Sequence, residues 1–474
     1  MEKKKLDSIA DINTDFPQWY TDVVVKSGLV SYSGVKGCMY IPPYGTALWE
    51  NMKVNLDARF KKLGVENVTM PLLIPESLFQ KEKDHIKGFA PEVAWVTHGG
   101  EEKLAERLLI RPTSEVLFCD YFASHIHSYR DLPKKFNQWA NIVRWEKNTR
   151  PFLRTTEFFW QEGHTLHETK NEAMKMTLAI HKLYCDFARE VLAIPMLAGK
   201  KTESEKFAGA VDTFTIEAMM HDGKALQAGT SHFLGNGFSK AFGIKYQSRA
   251  GKEQYPFYTS WGASTRLIGG IVMAHGDENG LILPPHVAPI QVIIVPIQTQ
   301  KEGVLKAAKK FKKSIERVVR THMDETENSP GWKFAEWEMR GVPIRIEYGP
   351  RDIENQTCVV VLRNTREKIS VNIADLKKEL PKLLQRVHDG MYERALNRLN
   401  EMTYDAKNMN EITTLANTKP GFIRAPWCSA EGCEDKLKSE FGITSRCIIN
   451  DTNETKCAIC GEQSKYIVVW ARAY

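Results

Sequence analysis

Residues 142–164, IVRWEKNTRPFLRTTEFFWQEGH, constrain the chain more than any other stretch. Two runs, 142–146 and 152–164, read as strands. Residues 147–151 between them carry Asn, Thr and Pro, which favour turns. Side chains on a strand alternate between faces. Arg144 and Glu146 therefore share a face, and Arg154, Phe158, Trp160, Glu162 and His164 share one on the second run. A core-facing hairpin avoids so many charges, and a solvent-facing one rarely sets two aromatics among them. The pattern predicts the floor of a site for something planar, polar and anionic. An amphipathic hairpin with surface ion pairs would show the same alternation.

A chain of 474 residues exceeds one core, so two to four domains are expected. No apolar run approaches the ~20 residues that span a bilayer, and the first sixteen residues lack the apolar core of a secretory signal. These features predict a cytoplasmic protein without a membrane partner. The net charge of +7 permits a polyanionic partner without demanding one. Nine cysteines, scattered until the last fifty residues, argue against a disulfide framework.

Along the chain, a helix is predicted over 16–27 and a longer one over 47–63. Leu48, Met52, Leu56, Phe60 and Leu63 give the longer helix one apolar face, and Gly64 closes it before a strand at 65–71. In LLIRPTSEVL, Thr113 and Glu115 share a face if the backbone is extended. The alternative is a helix N-cap at Thr113 or Ser114. A helix over 171–192 would present Met174, Leu178, His181, Cys185 and Arg189 as core and rim. Strands are expected at 207–220 and around ALQAGTSH, 225–232. In TSWGASTRLIGGIVMAHG, Gly262, Ser264 and Arg266 share a strand face ahead of a helix at 267–275. PPHVAP at 284–289 is a proline-rich joint. Strand–helix alternation beyond it predicts an α/β domain. There Arg345, Glu347, Arg351, Arg363 and Lys368 fall at strand ends where nucleic acid could meet them. Cys428, Cys433, Cys457 and Cys460 form two pairs with the spacing of a tetrahedral, four-thiolate zinc site, and Cys447 between them is a substitute ligand.

R-W-E followed by R-T-T-E-F resembles motif 2 of the class II aminoacyl-tRNA synthetases. The long helix, strand and Pro71 resemble motif 1, and G-x-S-x-R resembles motif 3. W-Q-E-G-H, T-x-E and T-S-H, taken in order, are similar to the prolyl-tRNA synthetases of the archaeal and eukaryotic type. There is no room here for the editing insertion of the bacterial type. The resemblance implies an α+β class II catalytic domain, an antiparallel sheet flanked by helices, over 1–286. It implies an α/β anticodon-binding domain over 287–402 and a small zinc-binding α+β domain over 403–474, whose final tyrosine, Tyr474, packs back toward the active site. It also implies activation of proline with ATP and Mg²⁺, transfer to tRNA(Pro), structural Zn²⁺ and a homodimer.

In that reading Arg144 bridges the proline carboxylate and the α-phosphate, and Glu146 accepts from the adenine amino group or a metal-bound water. Arg154 holds the γ-phosphate. Phe158 and Arg266 enclose adenine, and Gln227, Thr230 and Ser264 complete the ATP side. Thr113, Glu115, Trp160, Glu162, His164, Phe207 and His232 form the proline pocket, with Glu162 either touching substrate or orienting His164. Glu217 is a magnesium ligand. The competing readings are a class II synthetase for another amino acid, a synthetase-like tRNA-binding protein without catalysis, and a zinc-bearing nucleic-acid-binding protein.

Overall fold

A computed structural model describes residues 9–81, 92–452 and 455–474. Its centre is an eleven-stranded sheet. In spatial order the strands are Thr403–Asp405, Phe422–Trp427, Tyr466–Ala471, Thr444–Asp451, Met196–Lys200, Asp212–Met219, Ala225–Gly235, Phe257–Ser264, Glu157–His167, Lys134–Val143 and Glu66–Asn67. Neighbours are antiparallel except at the two edges. The expected hairpin is present but displaced: its strands are Lys134–Val143 and Glu157–His167, and the connection between them is far longer than 147–151. Arg144, Glu146 and Arg154 therefore sit on that connection. Pro151 there has no N–H to give to a ladder.

The last segment, expected as a separate small domain, extends the same sheet. Ile448 pairs with Lys200 across the join. Gly199 permits this, since a Cβ there would lie 2.3 Å from the Ile448 carbonyl oxygen.

The helix Pro43–Lys62 starts on a proline pair whose fixed φ suits a first helical turn. It buries Leu48, Met52, Leu56 and Phe60, each worth roughly 1.5–3 kcal/mol of transfer free energy. The helix Lys170–Glu190 begins with a Thr169/Glu172 capping box and lies across the sheet. Its buried face is Ala173, Met176, Thr177, Ile180, Tyr184, Phe187 and Ala188. The expected stripe at Met174, Leu178, His181, Cys185 and Arg189 lies on the rim instead, and Leu178 is exposed. A hairpin of Ala94–Gly99 and Glu102–Ile110, joined by Leu73–Pro75, forms a three-stranded sheet that the pattern did not announce.

Beyond the proline joint, Thr321–Met323, Val292–Pro296, Ile344–Tyr348, Thr357–Leu362 and Lys368–Asn372 form a mixed sheet. The helix Leu376–Glu401 ties this unit to the central one. Arg394 and Arg398 donate to the carbonyls of His275 and Ala274, at 2.5 and 2.7 Å, capping the helix Arg266–His275 with cations where its dipole is negative. Arg363, expected at a nucleic-acid face, instead makes two 2.7 Å bonds to Asp277 and is buried between the units. Arg345 is likewise spent internally, on Glu338 and Glu347.

Candidate active site

Antiparallel register gathers the site. Directly opposed residues share a face, so pairing across five strands lays Gln138, Glu162, Gly262, Thr230 and Thr215 in one row. Phe136, His164, Ser260, His232 and Thr213 form the next row. Above them lies a cavity of about 210 Å³. Of the residues singled out from sequence, Thr113, Glu115, Arg144, Phe158, Trp160, Glu162, Phe207, Gln227, Thr230, His232, Ser264 and Arg266 line it.

One end of the cavity is a closed polar network. Ser114 caps the helix Glu115–His125 by position, but its hydroxyl turns away from the helix to Glu162, at 2.5 Å. The Ser114 N–H, the Gln138 amide and His164 Nε2 also meet the Glu162 carboxylate. Burial alone would push that carboxyl up, yet His164, Ser114 and Gln138 hold it below the usual range. His164 lies beneath the cavity wall, stacked on Phe118 and bonded to Tyr258 Oη at 2.6 Å. Glu162 thus orients His164 and spends its oxygens on the network. Thr113 Oγ1 donates to Glu115 at 2.5 Å, beside it. Burial and the His164 charge lower His232 to about 3, so this imidazole is neutral between Thr213 and Thr230. Gly163 is obligatory, because a Cβ there would lie 1.9 Å from the Trp261 ring.

The other end is cationic. Arg144 Nε donates to the Pro112 carbonyl at 3.1 Å, and its guanidinium lies 5.6 Å from the Phe158 ring and 5.5 Å from that of Trp160. Arg266 donates to the Leu153 carbonyl at 3.1 Å. Burial and the like charge of Arg144 push it down to about 10, where it is still protonated at neutral pH. Two half-buried guanidiniums facing one cavity can neutralise two anions brought together there. Arg154 and Glu146 stand outside the lining, paired with each other at 2.7 Å on the exposed connection.

Three profiles match this chain: the tRNA synthetase class II core domain (G, H, P, S and T) over residues 95–275, the anticodon binding domain over 291–383, and the prolyl-tRNA synthetase C-terminal domain over 409–474. The proline–tRNA ligase of Clostridium novyi is 55% identical over 475 residues, spanning 100% of this chain and 99% of that protein. Proline–tRNA ligase 2 of Bacillus cereus is 55% identical over the whole of both chains. The chain belongs to the prolyl-tRNA synthetases. A crystal structure of the prolyl-tRNA synthetase from Cryptosporidium parvum, complexed with halofuginone and AMPPNP, superposes with a TM-score of 0.94 at 40% identity. It covers 98% of this chain and 99% of its own.

Against this synthetase frame, two expectations need correction. Glu217 does not reach the cavity. It is fully buried, and both its oxygens are taken by Lys201 and Arg446, with Thr215 on one of them. Cys447 stands apart from the four clustered thiols, buried against Gly199. The sulfurs of Cys428, Cys433, Cys457 and Cys460 all lie within 4.8 Å of one another, with Cys428 at 3.7 Å from Cys433 and 3.6 Å from Cys460. Those separations exclude disulfides and match the ~3.8 Å edge of a tetrahedron with metal–sulfur bonds of ~2.3 Å. The four thiols could hold a metal. Sequence reasoning missed Lys201 and Glu205, which also line the cavity. They lie in GKKTESEKF, a run of alternating charges indistinguishable from a solvated surface. Tyr474 docks beside the motif 2 connection, its hydroxyl donating to Asp222 at 2.6 Å and its ring 6.0 Å from Arg150.

Proposed function

We propose that this chain, a proline–tRNA ligase, joins proline to ATP in the cavity over the Glu162 row, releasing pyrophosphate, and then passes the prolyl group to the 3′ end of tRNA(Pro). One observation carries the reading. A closed acidic and neutral pocket abuts two half-buried guanidiniums, so an ammonium and a pair of anions have complementary places on one molecule.

Proline's secondary ammonium has two N–H donors and one charge, and Thr113 and Glu115 supply matching acceptors. Trp160 and Phe207 wall the ring. Arg144 spans the carboxylate and the α-phosphate, because a planar, permanently charged fork makes two contacts that a lysine cannot. Arg266 and Phe158 enclose adenine, with Gln227, Thr230 and Ser264 along the nucleotide. Glu146 and Arg154 exchange their mutual pair for the nucleotide when it binds. No general base is needed, because the attacking carboxylate is already ionised; the enzyme's contribution is alignment and charge neutralisation.

Mg²⁺ arrives on the ATP phosphates, as this ion commonly does; Glu217 offers it no free oxygen. Zn²⁺ in the Cys428–Cys433–Cys457–Cys460 quartet ties the C-terminal strands together and supplies folding energy, not chemistry. One zinc per chain by elemental analysis, lost in Cys457→Ser, tests this. We place the domain boundaries at 286/287 and 402/403, the protein in the cytoplasm, and the assembly as a homodimer through the helix Pro43–Lys62 and the strand after it. Sedimentation reads the last of these.

The deciding experiment is amino-acid-dependent ATP–pyrophosphate exchange across the twenty amino acids, with Arg144→Ala as the control. Exchange led by proline and lost in the variant supports the reading. Exchange led by another amino acid, or none from a folded protein, overturns it.

A further inference from the structure

Lys201 lines the cavity, yet its ammonium donates to Glu217 at 2.9 Å, with the two side chains 1% and 0% exposed. Alone, that pair would be neutral and would add nothing to a site where two anions meet. The structure adds a third member from the far end of the chain. Arg446, on the strand Thr444–Asp451, donates to the same carboxylate through Nε at 3.2 Å and one Nη at 3.1 and 3.2 Å, and is itself only 7% exposed. Thr444 Oγ1 holds its other Nη at 2.9 Å. Two buried cations thus face one buried anion, leaving one positive charge in excess beside the cavity, where low polarity makes it felt.

The same C-terminal segment grips the backbone that carries Lys201. Glu434 accepts from Thr202 and Ser204 at 2.8 and 2.9 Å, and Ser445 meets Thr202 at 2.8 Å. Lys201, Glu205 and Phe207, all on this short stretch, all line the cavity.

We propose that the C-terminal segment completes the proline-activation site: Arg446 takes up the charge of Glu217 and so leaves the Lys201 ammonium as an uncompensated cation in the cavity wall. Arg446 is a positioning residue, acting through Glu217 and Lys201 on the charge that develops between carboxylate and α-phosphate. The inference rests on the activation site described above. Wild-type exchange tests that reading, whereas the variants below are compared with a working wild type.

The test is a charge cycle read by pyrophosphate exchange, with kcat, KM for proline and KM for ATP measured separately. Arg446→Gln keeps hydrogen bonding but cancels the excess charge, and kcat should fall at least about 10-fold, below the ~10²–10³-fold cost of losing a donor in direct contact. Glu217→Gln with Arg446→Gln restores one excess cation and should recover most of that loss. Arg446→Gln together with Glu217→Gln in a Lys201→Met background keeps the net charge of Lys201→Met alone and should cost nothing further. Should Arg446→Gln not fold, Arg446→Lys, which keeps the charge and drops the fork, is expected to retain nearly full kcat and carries the comparison. A double variant no better than Arg446→Gln, an Arg446→Gln enzyme with unchanged kcat, or an Arg446→Lys enzyme as poor as Lys201→Met overturns the proposal. A merely structural Arg446 would give the first of these, since two lost partners destabilise more than one.

Discussion

At the end of the cavity proposed for the amino acid, Glu162 receives bonds from His164 on its own strand, Gln138 on the neighbouring strand and Ser114 at the helix start, and every member is buried. On the connection proposed to meet the nucleotide, Arg154 and Glu146 have one another, with the Arg154 side chain 57% exposed. The first arrangement exists before substrate arrives. The second must break a pair to be used. Sheet register can prefabricate a pocket for a small rigid ligand, whereas a long, flexible triphosphate is met by residues free to move toward it.

Predictions that could break this contrast follow from the largest effect to the smallest. Arg266→Ala removes a half-buried cation from the fixed part of the end proposed for the nucleotide, and exchange should fall on the order of 10²–10³-fold. A loss under tenfold would mean that the exposed Arg154, not the half-buried Arg266, stabilises the phosphates. Alanine, which fits inside a proline-shaped pocket, should be activated with kcat/KM no more than about 10²–10⁴-fold below proline, because it lacks two ring methylenes, each worth roughly 1–3 kcal/mol. Competition kinetics showing discrimination far above ~10⁴ would mean the prefabricated end recognises more than size and the ammonium. Glu162→Gln leaves a buried network half satisfied. We expect a loss of about 1–3 kcal/mol in denaturant unfolding and a raised KM for proline with KM for ATP unchanged. Arg154→Ala should do the reverse. Stability should change by under about 1 kcal/mol, as exposed pairs contribute little, while KM for ATP rises several-fold.

Acid separates stability from the site in a way the arginines cannot. Burial holds His232 and His275 down to about 3 and His167 to about 4, against 6.5 in the unfolded chain. Between those values the unfolded state binds more protons. The stability contributed by the neutral imidazoles is therefore complete above pH 6.5 and is lost as pH falls toward 4 for His167 and toward 3 for His232 and His275. Thermal midpoints should fall across that window, while the His232 ring in the folded enzyme remains neutral.

The hairpin shows how far the sequence reaches. Alternation named Phe158, Trp160 and Glu162 as sharing a face, and all three line the cavity. The same alternation was carried too far for Arg154, because the strand begins only at Glu157 and periodicity does not say where a ladder loses its partner. On the helix Lys170–Glu190, the stripe Met174, Leu178, His181, Cys185 and Arg189 steps by three and four and traces the rim. The buried face takes the same steps through Met176, Ile180, Tyr184 and Phe187, and only the sheet beneath decides between neighbouring stripes.

By itself the sequence determined the order of chemistry along the chain: TxE, an arginine motif, TSH, a second arginine and four paired cysteines, each legible because its residues are close together. What touches what across the chain belonged to the tertiary structure. Glu217 reads as a carboxylate open to a metal until Lys201 and Arg446 close on it, the second from 229 residues away. Local pattern fixes which face a side chain takes, but the charge left to act at a buried site depends on every partner packed around it. Those partners come from strands whose neighbours are chosen by the fold.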